Sequence, residues 1–183
     1  MKAKLLLLVI ALQTTWVVAT VAFQETKFLR GQMVLLEAQP VDPRDFLRGD
    51  YVTLTYKIST VPMALLQVET TNELPAGTTV FVRLGKQGQF DVVESASLTP
   101  LKSERGHPVL RGQIPKKWYF SGGPNGSLLV EYGLERFYVH EGTGQLHGKL
   151  TVEAAVPASG RGVIKQLYVD GVPYSETIRA EKH

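Results

Sequence analysis

An all-β domain carried behind one N-terminal hydrophobic helix is the fold this sequence predicts, and three observations predict it. From residue 33 onward apolar residues recur with a period of two, turn residues break that pattern at short intervals, and a single uncharged run, residues 5–23, precedes it. The rhythm suits about eight to ten short strands in one sandwich or barrel-like domain.

The elements follow in order. "MKAKLLLLVIALQTTWVVATVAF" places Lys2 and Lys4 before an uncharged run of 19 residues, close to the roughly 20 that a helix needs to cross a hydrocarbon core. We read residues 1–24 as an uncleaved membrane anchor or signal-anchor, and residues 25–183 as one domain. The rival reading is a signal peptide cut before Phe23, with Thr20 and Ala22 at the small-residue positions. Lys2 and Lys4 favour an inside N-terminus and so an exported domain, although Lys27 and Arg30 beyond the run weaken the bias.

In "MVLLEAQP" we expect a first strand, ended by Pro40 and Pro43. "YVTLTYKIS" sets Val52, Leu54, Tyr56 and Ile58 on one face and Tyr51, Thr53, Thr55 and Lys57 on the other, the pattern of a half-buried strand. A turn at 75–77, a strand at 79–84 and a Gly-rich hairpin into "QFDVVESASLTP" come next. "HPVLRGQIP" gives a short strand between prolines, and "NGSLLVEYG" another after an Asn-Gly turn. "GKLTVEAAVP" and "GRGVIKQLYVDGVPY" form a hairpin through 159–162 that ends in an Asp170-Gly171 turn. Helix is scarce beyond the N-terminus, with one possible turn in "PVDPRDFLRG".

Composition narrows the chemistry. Of 183 residues, 44% are hydrophobic and 20% charged, a globular balance. Without Lys2 and Lys4 the chain carries 18 basic against 17 acidic residues, and no basic stripe suggests nucleic acid as a partner. Cysteine is absent, which excludes disulfides, thiolate metal sites and a cysteine nucleophile. No phosphate-loop or Gly-x-Ser-x-Gly pattern occurs.

Two dense polar stretches remain. "PVDPRDFLRGDY" gathers Asp42, Asp45 and Asp50 with Arg44 and Arg48. It suits turn building and a charged contact surface better than a calcium loop, whose alternating ligand spacing it lacks. "EYGLERFYVHEGTGQLHG" holds Glu131, Glu135, Arg136, His140, Glu141 and His147 without a compact metal-ligand spacing. No catalytic residue, metal ligand or cofactor site is assigned. A third stretch, "KKWYF" at 116–120, sets two lysines beside three aromatics and reads as a strand edge or a headgroup contact.

"LRGDYVTLTY" and "EYGLERFYVHEGTG" together resemble the two hallmark segments of the bacterial GDYXXLXY protein family. Gly49, Asp50, Tyr51, Leu54 and Tyr56 fit the naming motif, and Gly133, Leu134, Glu135, Tyr138, Glu141 and Gly142 resemble the second segment. The resemblance implies a membrane-anchored, exported domain of uncharacterised function, on the periplasmic side of the bacterial inner membrane. Its implied partner is a multi-pass membrane protein. On this view Asp45, Arg48, Asp50, Tyr51, Glu135 and Glu141 are the contact candidates in an accessory or binding domain. The alternative is an envelope-acting hydrolase using the carboxylates of Glu135, Glu141, Asp45 and Asp50, which requires the two segments to converge in one cleft.

Overall fold

The computed structural model describes residues 2–29, 31–41, 51–67, 74–115, 126–139 and 148–176. Helix α1 (Lys2–Leu29) is followed by strands β1 (Gln32–Val41), β2 (Tyr51–Tyr56), β3 (Thr60–Pro62), β4 (Leu66–Gln67), β5 (Thr79–Gln87) and β6 (Phe90–Ser97). Then come β7 (Val109–Gln113), β8 (Ser127–Leu129), β9 (Arg136–Tyr138), β10 (Leu150–Val156), β11 (Val163–Val169) and β12 (Val172–Pro173). The all-β expectation holds.

The strands form a six-stranded sheet ordered β12-β11-β10-β1-β2-β9, a four-stranded sheet β4-β6-β5-β7, and the pair β3-β8. All neighbours are antiparallel except β4 and β6. Alternation explains the core. Val34, Leu36 and Ala38 of β1, Val52, Leu54 and Tyr56 of β2, and Val80, Val82 and Leu84 of β5 join one apolar cluster with residues from β7, β8, β10 and β11. The face read for β2 is borne out, with Ile58 continuing it into a 3-10 turn at Lys57–Ser59.

Two differences from the sequence reading have simple causes. Strand β1 runs through Pro40. Its ladder to β10 ends at Ala38, so at Pro40 only β2 remains as a partner and the missing N–H is tolerated. Strand β5 extends past Leu84 to Gln87 because a bulge between Arg83 and Leu84 keeps it paired to β6. The possible helical turn in "PVDPRDFLRG" lies outside the described residues.

One buried carboxylate joins the sheets. Asp91 on β6, 1% exposed at its side chain, accepts the Leu35 N–H at 2.7 Å and the Lys86 ammonium at 2.6 Å. Both contacts draw on the charged form, so the acid is satisfied where an unpaired one would be costly.

Helix α1 differs from everything else in the chain. Residues 9–21 are exposed without exception, among them Val9, Ile10, Leu12, Trp16, Val17, Val18 and Val21. No described residue of the domain covers them. Among the described residues, no helix is long and apolar enough to cross a membrane, which corrects the expectation of a transmembrane helix. Gln13, Thr14, Thr15 and Thr20 interrupt the apolar run. The three threonine hydroxyls donate to the carbonyls of Ile10, Ala11 and Trp16, at 2.9, 2.8 and 2.8 Å. Their polarity is thereby partly spent inside the helix.

Candidate functional site

The two hallmark segments meet. Strand β9 lies against β2 with Tyr51 opposite Tyr138, Val52 opposite Phe137 and Thr53 opposite Arg136. The ladder continues as the Leu54 N–H donates to the Glu135 carbonyl at 2.7 Å. Around this seam the polar groups are consumed by the fold. The Tyr56 hydroxyl donates to the Leu134 carbonyl, the Tyr132 hydroxyl donates to the Ile58 carbonyl, and the Glu135 carboxylate accepts the Tyr132 N–H, each at 2.6 Å.

Local sequence makes the seam possible. Gly133 adopts φ +78°, a left-handed turn that brings the Glu135 side chain back onto the Tyr132 amide. Gly112 on β7 passes so close to residues 130–132 that a Cβ there would collide with the Val130 side chain and lie 2.8 Å from the Glu131 carbonyl. Leu54 and Leu134 are 0% and 2% exposed. Burial pushes the Tyr56 and Tyr132 hydroxyls far above the ordinary tyrosine range, and the Glu135 carboxylate adds to the shift.

The candidate contact residues divide accordingly. Asp45, Arg48, Asp50 and Glu141 lie outside the described residues. Tyr51 opens β2 opposite Tyr138, and the backbones of Tyr51 and Glu135 belong to the same ladder. Convergence of the two segments is therefore found as strand pairing. Glu135, half-buried and engaged with the Tyr132 amide, is a structural acceptor. Among the described residues no group of three or more His, Asp or Glu could hold a metal ion. His140, His147 and the "KKWYF" stretch lie outside the described residues.

Sequence reasoning missed two features. The tyrosines at 56 and 132 form reciprocal links across the seam, and only their spacing within the hallmark segments hinted at it. Tyr138 is the second: it stands 78% exposed on the outermost strand of the six-stranded sheet.

The length of β1 separates Val41 from the helix. Helix α1 leads into β1 at Gln32, whereas residues 42–50 leave β1 at Val41 and return to β2 at Tyr51. A ten-residue strand spans roughly 30 Å, so Val41 lies at the end of β1 remote from the helix.

The chain matches the family model described as GDYXXLXY protein over residues 13–167. No curated protein and no solved structure matches it.

Proposed function

The chain belongs to the GDYXXLXY protein family, and on that premise we propose that it is an accessory or binding domain. In this reading α1 holds it at the bacterial inner membrane, with the β-domain on the periplasmic side and a multi-pass membrane protein as partner. The observation that carries the reading is the unbroken exposure of residues 9–21. Covering each valine or leucine of that stretch would contribute roughly 1.5 to 3 kcal/mol, and no described residue of the β-domain does so.

The polar positions of α1 favour a protein neighbour over lipid alone. With Gln13 and three threonines in its exposed run, α1 in this reading lies at the membrane surface against a protein neighbour and does not cross the bilayer. Gln13 and Thr20, seven residues apart on one side of α1, would face the partner, while Leu12 and Val18 turn away from it. The signature segment, which leaves β1 at Val41 and rejoins the sheet at Tyr51, would be a second contact with the partner. Asp45, Arg48, Asp50 and Tyr51 are its contact candidates.

The reading is tested by membrane fractionation of the full chain, followed by photo-crosslinking from Gln13 and from Leu12. The expected result is resistance to alkaline extraction and a stoichiometric crosslink from Gln13 to one multi-pass protein, weaker or absent from Leu12. Release of the chain by alkaline wash, or a Gln13 probe that meets only lipid, would overturn it.

A further inference from the structure

The end of the β-domain next to α1 carries a second set of exposed groups. The side chain of Gln32, the first residue of β1, is clasped by the loop at 103–106. Its Nε2 donates to Ser103 Oγ at 3.1 Å and to the Glu104 carbonyl at 2.7 Å, and its Oε1 accepts the Gly106 N–H at 2.7 Å. Gln32 also faces Val156, the last residue of β10, after which the chain turns through Gly160 to Arg161. Lys102, Arg105 and Arg161 are therefore gathered where the helix joins the domain.

All three are exposed, and among the described residues none pairs with a carboxylate. Arg83 fastens this region from below by donating to the Lys102 carbonyl at 3.2 Å. Glu104 is the acid in the same loop, and Glu94 nearby is bonded to His107 at 2.7 Å. The local balance is basic. Beside it, Met33 and Val163 are 47% and 36% exposed, in register across Ala155 of β10. Exposed apolar residues flanked by unpaired basic ones, at the root of an uncovered apolar helix, match the chemistry of a headgroup layer.

We infer that this end of the domain docks on the anionic headgroups of the membrane, with Lys102, Arg105 and Arg161 contacting phosphates and Met33 and Val163 entering the interface. The inference rests on the membrane reading above. It adds an orientation: the base of the sheet faces lipid and the end of β1 at Val41 points away from it.

Because the chain has no cysteine, single reporters can be placed cleanly. Fluorophores at Ser159→Cys, near the base, and at Val172→Cys, near the opposite end of the six-stranded sheet, would be read in the full chain in nanodiscs with headgroup-quencher lipids. The discs contain phosphatidylcholine alone or mixed with phosphatidylglycerol. Quenching at 159 and not at 172, in the anionic discs only, is the expected result.

High salt on the unaltered domain should abolish that quenching. So should the combined Lys102→Glu, Arg105→Glu and Arg161→Glu variant, each basic residue being worth roughly fivefold in attraction to an anionic leaflet. Unchanged circular dichroism shows that the variant is folded. Equal quenching at both sites, or quenching indifferent to lipid charge and salt, overturns the docking while leaving α1 in the disc. Failure of the chain to enter discs of either composition overturns the membrane reading as well.

Discussion

The seam between β2 and residues 131–136 and the helix α1 use apolar and aromatic residues in opposite ways. In the seam Leu54, Tyr56, Tyr132 and Leu134 are buried, and both tyrosine hydroxyls have carbonyl partners. In α1 Leu12, Trp16, Val17 and Val18 are all more than half exposed. The Leu-x-Tyr half of the family's signature is thus accounted for by folding, which leaves little chemistry for it to perform. Surface left uncovered by the fold is the better place to look for function.

The sharpest way to break that contrast is Leu54→Ala. At a fully buried position it should cost about 2 to 5 kcal/mol, read as a lower midpoint in urea unfolding with an unchanged slope. A loss below about 1 kcal/mol would mean that the seam is looser than its burial indicates. Next in size, Gly112→Ala should cost about 1 to 3 kcal/mol, because the new methyl group must displace Val130 or the Glu131 backbone.

Tyr56→Phe and Tyr132→Phe should each cost about 1 to 3 kcal/mol by leaving the Leu134 or Ile58 carbonyl buried without its donor. These tyrosines also give the seam a pH signature. In the unfolded chain the hydroxyl ionises near pH 10, whereas in the seam it stays protonated at that pH. Their stability contribution is therefore complete below about pH 10. Above it the contribution falls by about 1.4 kcal/mol per pH unit for each tyrosine. Alkaline unfolding curves of each Phe variant should show a slope shallower by one proton.

The smallest stability effect is expected from Leu12→Gln with Val17→Gln and Val18→Gln. These side chains are more than half exposed, so denaturant midpoints should move within about 0.5 kcal/mol. Membrane retention in cells should nevertheless be lost. Normal retention would show that the exposed face of α1 is not what holds the protein in place.

The legible parts of this fold were those governed by local pattern. The period-two run at 52–58 assigned the buried face of β2 correctly, and Asp170-Gly171 marked its turn, since both signals act between near neighbours. Strand β1 continuing through Pro40 was not legible, because the tolerance depends on where the β10 ladder stops. The bond from the Tyr132 amide to Glu135 was not legible for a related reason. A surface acid and an acid folded back onto the Tyr132 amide look alike until the Gly133 turn is known.

The amino-acid order by itself determined the strand-rich domain, the single hydrophobic N-terminal segment, the absence of thiol chemistry and the family signature, because each is a matter of spacing or composition. Only the tertiary structure decided that the two signature segments pair as β2 and β9. It alone set Tyr56 and Tyr132 to bind carbonyls on opposite sides of that seam, and left residues 9–21 of α1 uncovered. Those outcomes depend on contacts between residues more than seventy positions apart, and no local periodicity carries such information.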